Sequence, residues 1–288
     1  MHSIKSRSGF VRQIAEMQKK THEQNVMVKA ITDACWSLTE DELPPLEYMG
    51  TIGSDTSLHF KKAMTEIFAD LALRFNLNPQ SRVLDIGSGC GRLAFPLAML
   101  LKNGKYYGVD VWKDGVDWCK NHISVDSSNI EFHHLVARNN YYVDDYDPTI
   151  ENEYTLDFIA DESLDLALSI SVFTHLSPKD SQAYLNELAR TLDDEGVAYL
   201  TCFIIDDFFF RHVERSGMHK AVKKQGDSGF YCAYKGQDFF CGYTRKLWNN
   251  MLMEAGLRVI SWEVGSWASK PGARVYQDTF IVLRAKER

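Results

Sequence analysis

The chain has 288 residues, 45% of them hydrophobic, and a formal net charge of −7, enough apolar material for one large domain with additions. An acidic balance argues against a broad polyanion-binding face, which needs clustered Lys and Arg, and leaves Lys220, Lys223 and Lys224 as a local basic patch or a solvated surface run. The six cysteines include no CxxC pair, the first residues lack the apolar core of a signal peptide, and no apolar run reaches membrane length, so a soluble, cytoplasmic protein with free thiols is expected.

In chain order, the spacing of Phe10, Ile14, Met17, Val26, Val28, Ile31 and Trp36 predicts one or two helices before residue 38. "DELPPLEYMGTIG" reads as a break, and an apolar stripe from Phe60 to Leu73 predicts a helix over 57–75. Beyond Pro79 short apolar runs alternate with amphipathic segments, the texture of a parallel sheet wrapped by helices. Strands are predicted at about 82–86, 105–109, 130–135, 165–170 and 197–204, with helices at about 91–102, 113–123 and 178–192. Ser177, Pro178 and Asp180 mark the start of the last helix as cap, first helical residue and first-turn acid.

The stretch after the fifth strand, from Asp206 to Tyr243, is too long for an ordinary connection and has the place of a lid or substrate wall. Its Phe208, Phe209, Phe210, Phe230, Tyr231, Phe239 and Phe240 suit either an apolar pocket or the core of the insertion itself. A helix from about 244 to 254 then leads to two final strands, "LRVISWEV" and "RVYQDTFIVLR". The domain reading is a helical extension over 1–45 and a main domain over 46–288 that carries an insertion at 205–242, a candidate substrate cap.

The chemistry concentrates in "VLDIGSGCGR", where a strand ends in Gly87-Ser88-Gly89-Cys90-Gly91 and runs into a helix. Such a loop places a ligand at the carboxyl end of the strand and keeps side chains out of its way. The dinucleotide fingerprint is GxGxxG, whereas this loop reads GxGxG, and Asp85 just before it would repel a pyrophosphate while suiting a cationic amino group. With "YYGVDVW", "LDLALSISVFTHL" and "LARTLDDEGVAYLTCF" following in order, the chain resembles the class I S-adenosylmethionine-dependent methyltransferases over roughly residues 45–205, and more loosely to the end.

That resemblance implies an α/β, Rossmann-like, doubly wound sheet of seven strands, mostly parallel with an antiparallel closing strand, and S-adenosylmethionine as cofactor. Cofactor contacts are implied for Asp85, Gly87, Ser88, Gly89 and Gly91 in the loop, and for Asp110, Val111 and Trp112 at the second strand. Ala137 and Arg138 follow the third strand and Ser171 and Val172 the fourth. Asp110 is placed to accept ribose hydroxyls or to cap the next helix, and Asp85 to serve the methionine amino group or to tie down the loop backbone. Many members carry an acid after the third strand for adenine. Here Val136 and Ala137 stand there, which leaves adenine to backbone atoms, Asn139 or a stacked Arg138, and Trp112 either on the adenine face or in packing.

Methyl transfer from a sulfonium depends on alignment before acid–base chemistry. His175 is the foremost candidate base; Asp206, Asp207 and His212 are candidates for the acceptor pocket, and Tyr243 and Arg245 for gripping a substrate anion. The Asn-Pro-Pro-Tyr type of motif is missing after the fourth strand, which argues against amino methylation of nucleic acid or protein. Asp206 and Asp207, and likewise His133 and His134, are neighbours that point apart on a strand, so no metal is expected. The expected function is methyl transfer to a small-molecule or saccharide-type acceptor, oxygen before nitrogen. The alternatives are a non-catalytic S-adenosylmethionine-binding partner subunit and a nicotinamide-dependent oxidoreductase. The oligomeric state is left open.

Overall fold

The computed structural model describes residues 3–124, 128–136, 154–233, 240–273 and 275–285, with the backbone alone for 3–17. A single helix, α1 (Ser3–Ser37), opens the chain where one or two were expected, and it buries Val28, Ile31 and Cys35 against α3 (Ser57–Arg74). The expected break contains two short regular pieces, a 3-10 turn at Glu40–Glu42 and α2 (Leu46–Thr51). Pro45 directly before α2 starts that helix instead of interrupting it. Thr56 caps α3 by accepting from the backbone N–H of His59 at 3.1 Å.

Strand and helix then alternate: β1 (Arg82–Ile86), α4 (Ala94–Leu100), β2 (Lys105–Asp110), α5 (Lys113–His122), β3 (Ile130–His134), β4 (Leu164–Ser169), α6 (Pro178–Thr191) and β5 (Leu192–Cys202). Helix α4 is shorter than expected because the chain needs a further turn, residues 90–93, to leave the glycine loop. The Ser177 hydroxyl caps α6 at the Asp180 N–H, with Pro178 in the first turn. Strand β5 starts five residues earlier than expected, since "LDDEG" continues as extended chain directly from α6.

The segment after β5 folds as α7 (Asp207–Ser216) and a three-stranded antiparallel sheet, β6 (Lys223–Gln225), β7 (Phe230–Ala233) and β8 (Phe240–Tyr243). Helix α8 (Arg245–Glu254) and the strands β9 (Leu257–Glu263) and β10 (Asp278–Arg284) close the chain. The main sheet has seven strands in the order β3-β2-β1-β4-β5-β10-β9; β10 runs antiparallel to both of its neighbours and the first five strands are parallel. This is the Rossmann-like arrangement that the resemblance implies.

Two apolar layers sandwich the sheet. One holds Phe60, Met64, Phe68, Leu97 and Val116 from α3, α4 and α5, together with α1; the other holds Tyr184, Leu185, Leu188, Trp248 and Met251 from α6 and α8. Val28, Ile31, Cys35 and Leu43 lie in the first of these layers. Because β1 hands the chain to β2 on one side and has β4 on the other, a crevice opens at the carboxyl ends of β1 and β4, where strand order reverses. Among the described residues no helix is long and apolar enough to cross a membrane.

Candidate functional site

A cavity of about 310 Å³ occupies that crevice. Its floor is the loop after β1. Gly87 and Ser88 donate their backbone N–H groups to Val109 O at 2.8 and 3.1 Å, so the loop stays pinned to β2 as it turns. Gly87 (φ +79°) and Gly89 (φ +56°) have left-handed backbone, and an added Cβ would stand 2.3 Å from Val172 Cγ2 at the first and 2.8 Å from Ile52 Cγ2 at the second. Glycine is therefore required twice over, by dihedral angle and by space. Gly91 and Trp112 are not among the residues that line this cavity. A Cβ on Gly91 would meet Ile123 Cδ1 at 2.5 Å, so that glycine lets α5 approach, and Trp112 packs edge-on against Tyr48 with ring centroids 4.9 Å apart.

Two buried carboxyl groups face the cavity. Asp110, at the end of β2, accepts Gly89 N–H at 2.7 Å on Oδ2 and Trp112 N–H at 2.8 Å on Oδ1. Burial raises its pKa against the opposing pull of those N–H donors. Asp85 Oδ2 accepts from the Tyr106 hydroxyl at 2.9 Å, and burial pushes its pKa up to about 7, with the Tyr106 bond and the Arg92 charge acting against burial. The Ser88 Oγ is buried with no hydrogen-bond partner among the described residues.

The opposite wall follows β4. Ser171, exposed at the cavity mouth, is held at φ +63°, unusual for a residue with a side chain. Its N–H donates to Thr201 Oγ1 (2.8 Å), Thr201 Oγ1 donates to Gln277 Oε1 (2.5 Å), and Gln277 Nε2 donates back to Ser171 Oγ (2.8 Å). Val172 and His175 line the same wall, His175 from a 3-10 turn at Phe173–His175. Beneath that turn the buried Tyr243 hydroxyl donates to Leu176 O at 2.7 Å, lies 2.9 Å from Phe173 O, and accepts from Ser181 Oγ at 2.8 Å. Val111 joins the wall beside Asp110, and Ala137 and Arg138 lie outside the described residues.

Sequence reasoning missed the third wall. Thr51, Ile52 and Gly53 at the end of α2, Ile67 of α3 and Arg92 line the cavity, whereas no described residue of 205–242 does. The aromatic residues of that insertion divide in packing. Phe209 and Phe240 form a small core with Ile205, Val222 and Trp267; Phe230 joins the main core, Phe208 and Phe210 are exposed, and Phe239 lies outside the described residues.

The other candidates have structural duties. Asp206 caps α7 through the N–H groups of Phe208 and Phe209 and pairs with Lys270 at 3.1 Å. Asp207 is exposed in the first turn of α7, and His212 Nδ1 lies 3.1 Å from Ser269 Oγ. Arg245 stacks 3.8 Å from the Trp262 ring centroid, so it is not in the cavity. His133 stacks on Phe158 at 3.7 Å and His134 Nε2 lies 3.2 Å from Val111 O.

Residues 83–196 match the model of a family described as a methyltransferase domain. The chain thus carries a methyltransferase-domain match over the stretch from β1 to β5. The resemblance read from the sequence implies S-adenosylmethionine as cofactor. The glycine cradle that a Cβ would fill, the two acids and the buried Ser88 hydroxyl fit such a cofactor, with bare backbone for close approach and polar groups for its sugar and amino-acid ends. Among solved structures, the methyltransferase is similar to a Pyrococcus horikoshii protein, 15% identical, with a TM-score of 0.51 over 87% of this chain and 100% of that one. It is also similar to a SAM-dependent methyltransferase of Methanosarcina mazei, 17% identical, with a TM-score of 0.46 over 73% and 95% of the two chains. A third is a Burkholderia thailandensis methyltransferase solved with S-adenosylhomocysteine, 15% identical, with a TM-score of 0.46 over 84% and 91%.

Proposed function

We propose that this methyltransferase seats S-adenosylmethionine in the cavity between the ends of β1, β2 and β4 and the segment 51–53, and methylates a small-molecule or saccharide-type acceptor arriving at the mouth beside Ser171 and His175. One observation carries the reading: the glycine loop, Asp85, Asp110 and His175, which lie far apart in sequence, all line a single cavity at the topological switch point.

When bound, the cofactor supplies a methyl group already activated by its sulfonium. The chain's part is to hold and to orient. Gly87 and Gly89 present main chain without side chains, Asp110 offers its carboxylate to vicinal hydroxyls, and Asp85 offers a carboxylate to an ammonium group. Alignment of the two reactants is worth roughly 7–11 kcal/mol, more than any single side chain contributes. His175 takes the acceptor's proton, which favours a hydroxyl over an amine as the methylated group. The acidic surface and the enclosure of the cavity by the N-terminal segment support a small acceptor over a polymer.

Calorimetric titration with S-adenosylmethionine and S-adenosylhomocysteine tests the cofactor seat. Asp110→Ala is expected to weaken both by about 1–3 kcal/mol, since charge-assisted hydrogen bonds are lost, with Asp110→Asn intermediate. Wild-type affinity in the alanine variant would remove Asp110 from the ribose site. A mass-spectrometric search for a methylated product in extracts then identifies the acceptor, and on it His175→Ala should slow turnover by ~10²–10⁴-fold.

A further inference from the structure

The hairpin of β7 and β8 sets two thiols opposite each other. Cys232 and Cys241 are register partners in that antiparallel pair, both buried and both free, and no other two cysteines are partners in a sheet of the described residues. The Thr244 N–H donates to Gly229 O at 2.8 Å, which marks Gly229 and Thr244 as a hydrogen-bonded pair of the ladder. Counting inward from there, Phe230 with Tyr243 and Cys232 with Cys241 are non-hydrogen-bonded pairs on one face of the hairpin. At such pairs the Cα atoms stand about 4.5 Å apart and the side chains come closest, within the span that a disulfide bridges. The Phe230 and Tyr243 rings agree, with centroids 5.6 Å apart. Burial raises the pKa of the Cys241 thiol, and the neighbouring Cys232 raises it further.

We propose that Cys232 and Cys241 form a modification site, a dithiol that oxidises reversibly to a cross-strand disulfide and so locks the strand whose Tyr243 hydroxyl props the His175 turn. The oxidant is a small disulfide, glutathione disulfide. The thiolate of one cysteine attacks it and releases a glutathione thiolate; the thiolate of the other then attacks the cysteine sulfur of the mixed disulfide and releases the second. The two cysteines are oxidised, the two glutathione sulfurs are reduced, and both protons pass to glutathione. Because the two thiols are buried, exchange proceeds through opening of the hairpin. Strand β8 is tied to the end of β5 by Tyr243 N–H to Phe203 O and by Ile205 N–H to Tyr243 O, both 2.9 Å, and a ring closed between Cys232 and Cys241 adds β7 to that tether. The proposal goes beyond methyl transfer and holds whatever molecule fills the cavity.

The test is equilibration of the full wild-type chain in glutathione buffers of rising disulfide fraction, followed by acid quenching, alkylation of the remaining thiols and peptide mapping by mass spectrometry. The expected product is a chain lighter by two hydrogens, with one linkage that joins the peptides of Cys232 and Cys241 and that reduced glutathione reverses. Amide hydrogen exchange of the same samples should slow about tenfold or more on oxidation in the peptides that carry Ile205 and Tyr243, since opening of the hairpin is then restricted. Cys232→Ala and Cys241→Ala should each remove both the linkage and the slowing. No linkage within the chain at any buffer ratio, or a linkage between other cysteines, would overturn the site, and neither outcome needs a variant to fold. The expected linkage with unchanged exchange at Ile205 and Tyr243 would overturn the lock.

Discussion

At the scale of single residues, Asp85 joins sequence position to a measurable property. Its side chain points to the face of β1 that carries Val83 and meets Tyr106, so the carboxyl is buried and its pKa is raised to about 7. Because the folded chain holds this proton more tightly than an unfolded carboxylate does, at roughly 3.9, the stability it contributes is full below about pH 4 and is lost as pH rises through about 7. Binding of an ammonium beside it reverses the preference and favours the carboxylate. Affinity for S-adenosylhomocysteine should therefore rise between pH 6 and pH 8, with proton release on binding at pH 6, and Asp85→Asn should abolish the dependence. Calorimetry in buffers of different ionisation enthalpy reads both; a flat profile for wild type would contradict the assignment. Asp85, Gly87, Gly89 and Asp110 were legible in the sequence because a strand end and a glycine spacing are local. Arg92 was quoted in the same motif yet unread, because nothing local says that its guanidinium turns into the cavity. The Ser171-Thr201-Gln277 ring was equally invisible, since it joins residues 76 and 106 positions apart.

At the scale of elements, the 3-10 turn that carries His175 depends on a strand nearly seventy residues later in the chain. Tyr243 was read as a possible grip for a substrate anion; the structure buries it completely, with its hydroxyl serving Leu176, Phe173 and Ser181. The reason is topological: β8 bridges to Ile204 just past β5, which brings the end of the insertion under the exit of β4. Tyr243→Phe keeps the ring packing against Trp248 and removes only the hydroxyl, so it should cost about 1–3 kcal/mol from the buried groups left unsatisfied. Urea denaturation with unchanged slope measures it, and an unchanged midpoint would show that the turn does not need the prop. The long stretch after β5 was correctly seen as more than a connection. Its helix and small sheet were not legible, because strands of three and four residues carry too few side chains to display a period.

At the scale of the whole molecule, the end of β5, the 265–270 turn and β10 are held by a buried charge cluster. Lys270, buried, donates to Ile204 O at 3.1 Å and pairs with Asp278 at 3.2 Å and Asp206 at 3.1 Å. Asp278, fully buried, also accepts from the Trp267 indole and from the N–H groups of Ile204 and Gly265. Breaking such a pair strands a charge, so Lys270→Met should destabilise the protein by about 3–5 kcal/mol, with Lys270→Met/Asp278→Asn recovering part of the loss. Thermal melts of the three proteins decide this, and a melting point for Lys270→Met equal to that of wild type would refute it. The sequence by itself determined the class of sheet, the order of its parallel strands with their helices, and the glycine loop with its two acids. All of these follow from periodicity and from residues a few positions apart, where short-range sterics and burial act directly. Only the tertiary structure decided which segment walls the cavity, that Val28, Ile31 and Cys35 of α1 pack into the core, and where the buried ions and Arg92 point. Those outcomes depend on contacts between residues tens to hundreds of positions apart, whose side-chain directions are set by packing and not by neighbours in the chain.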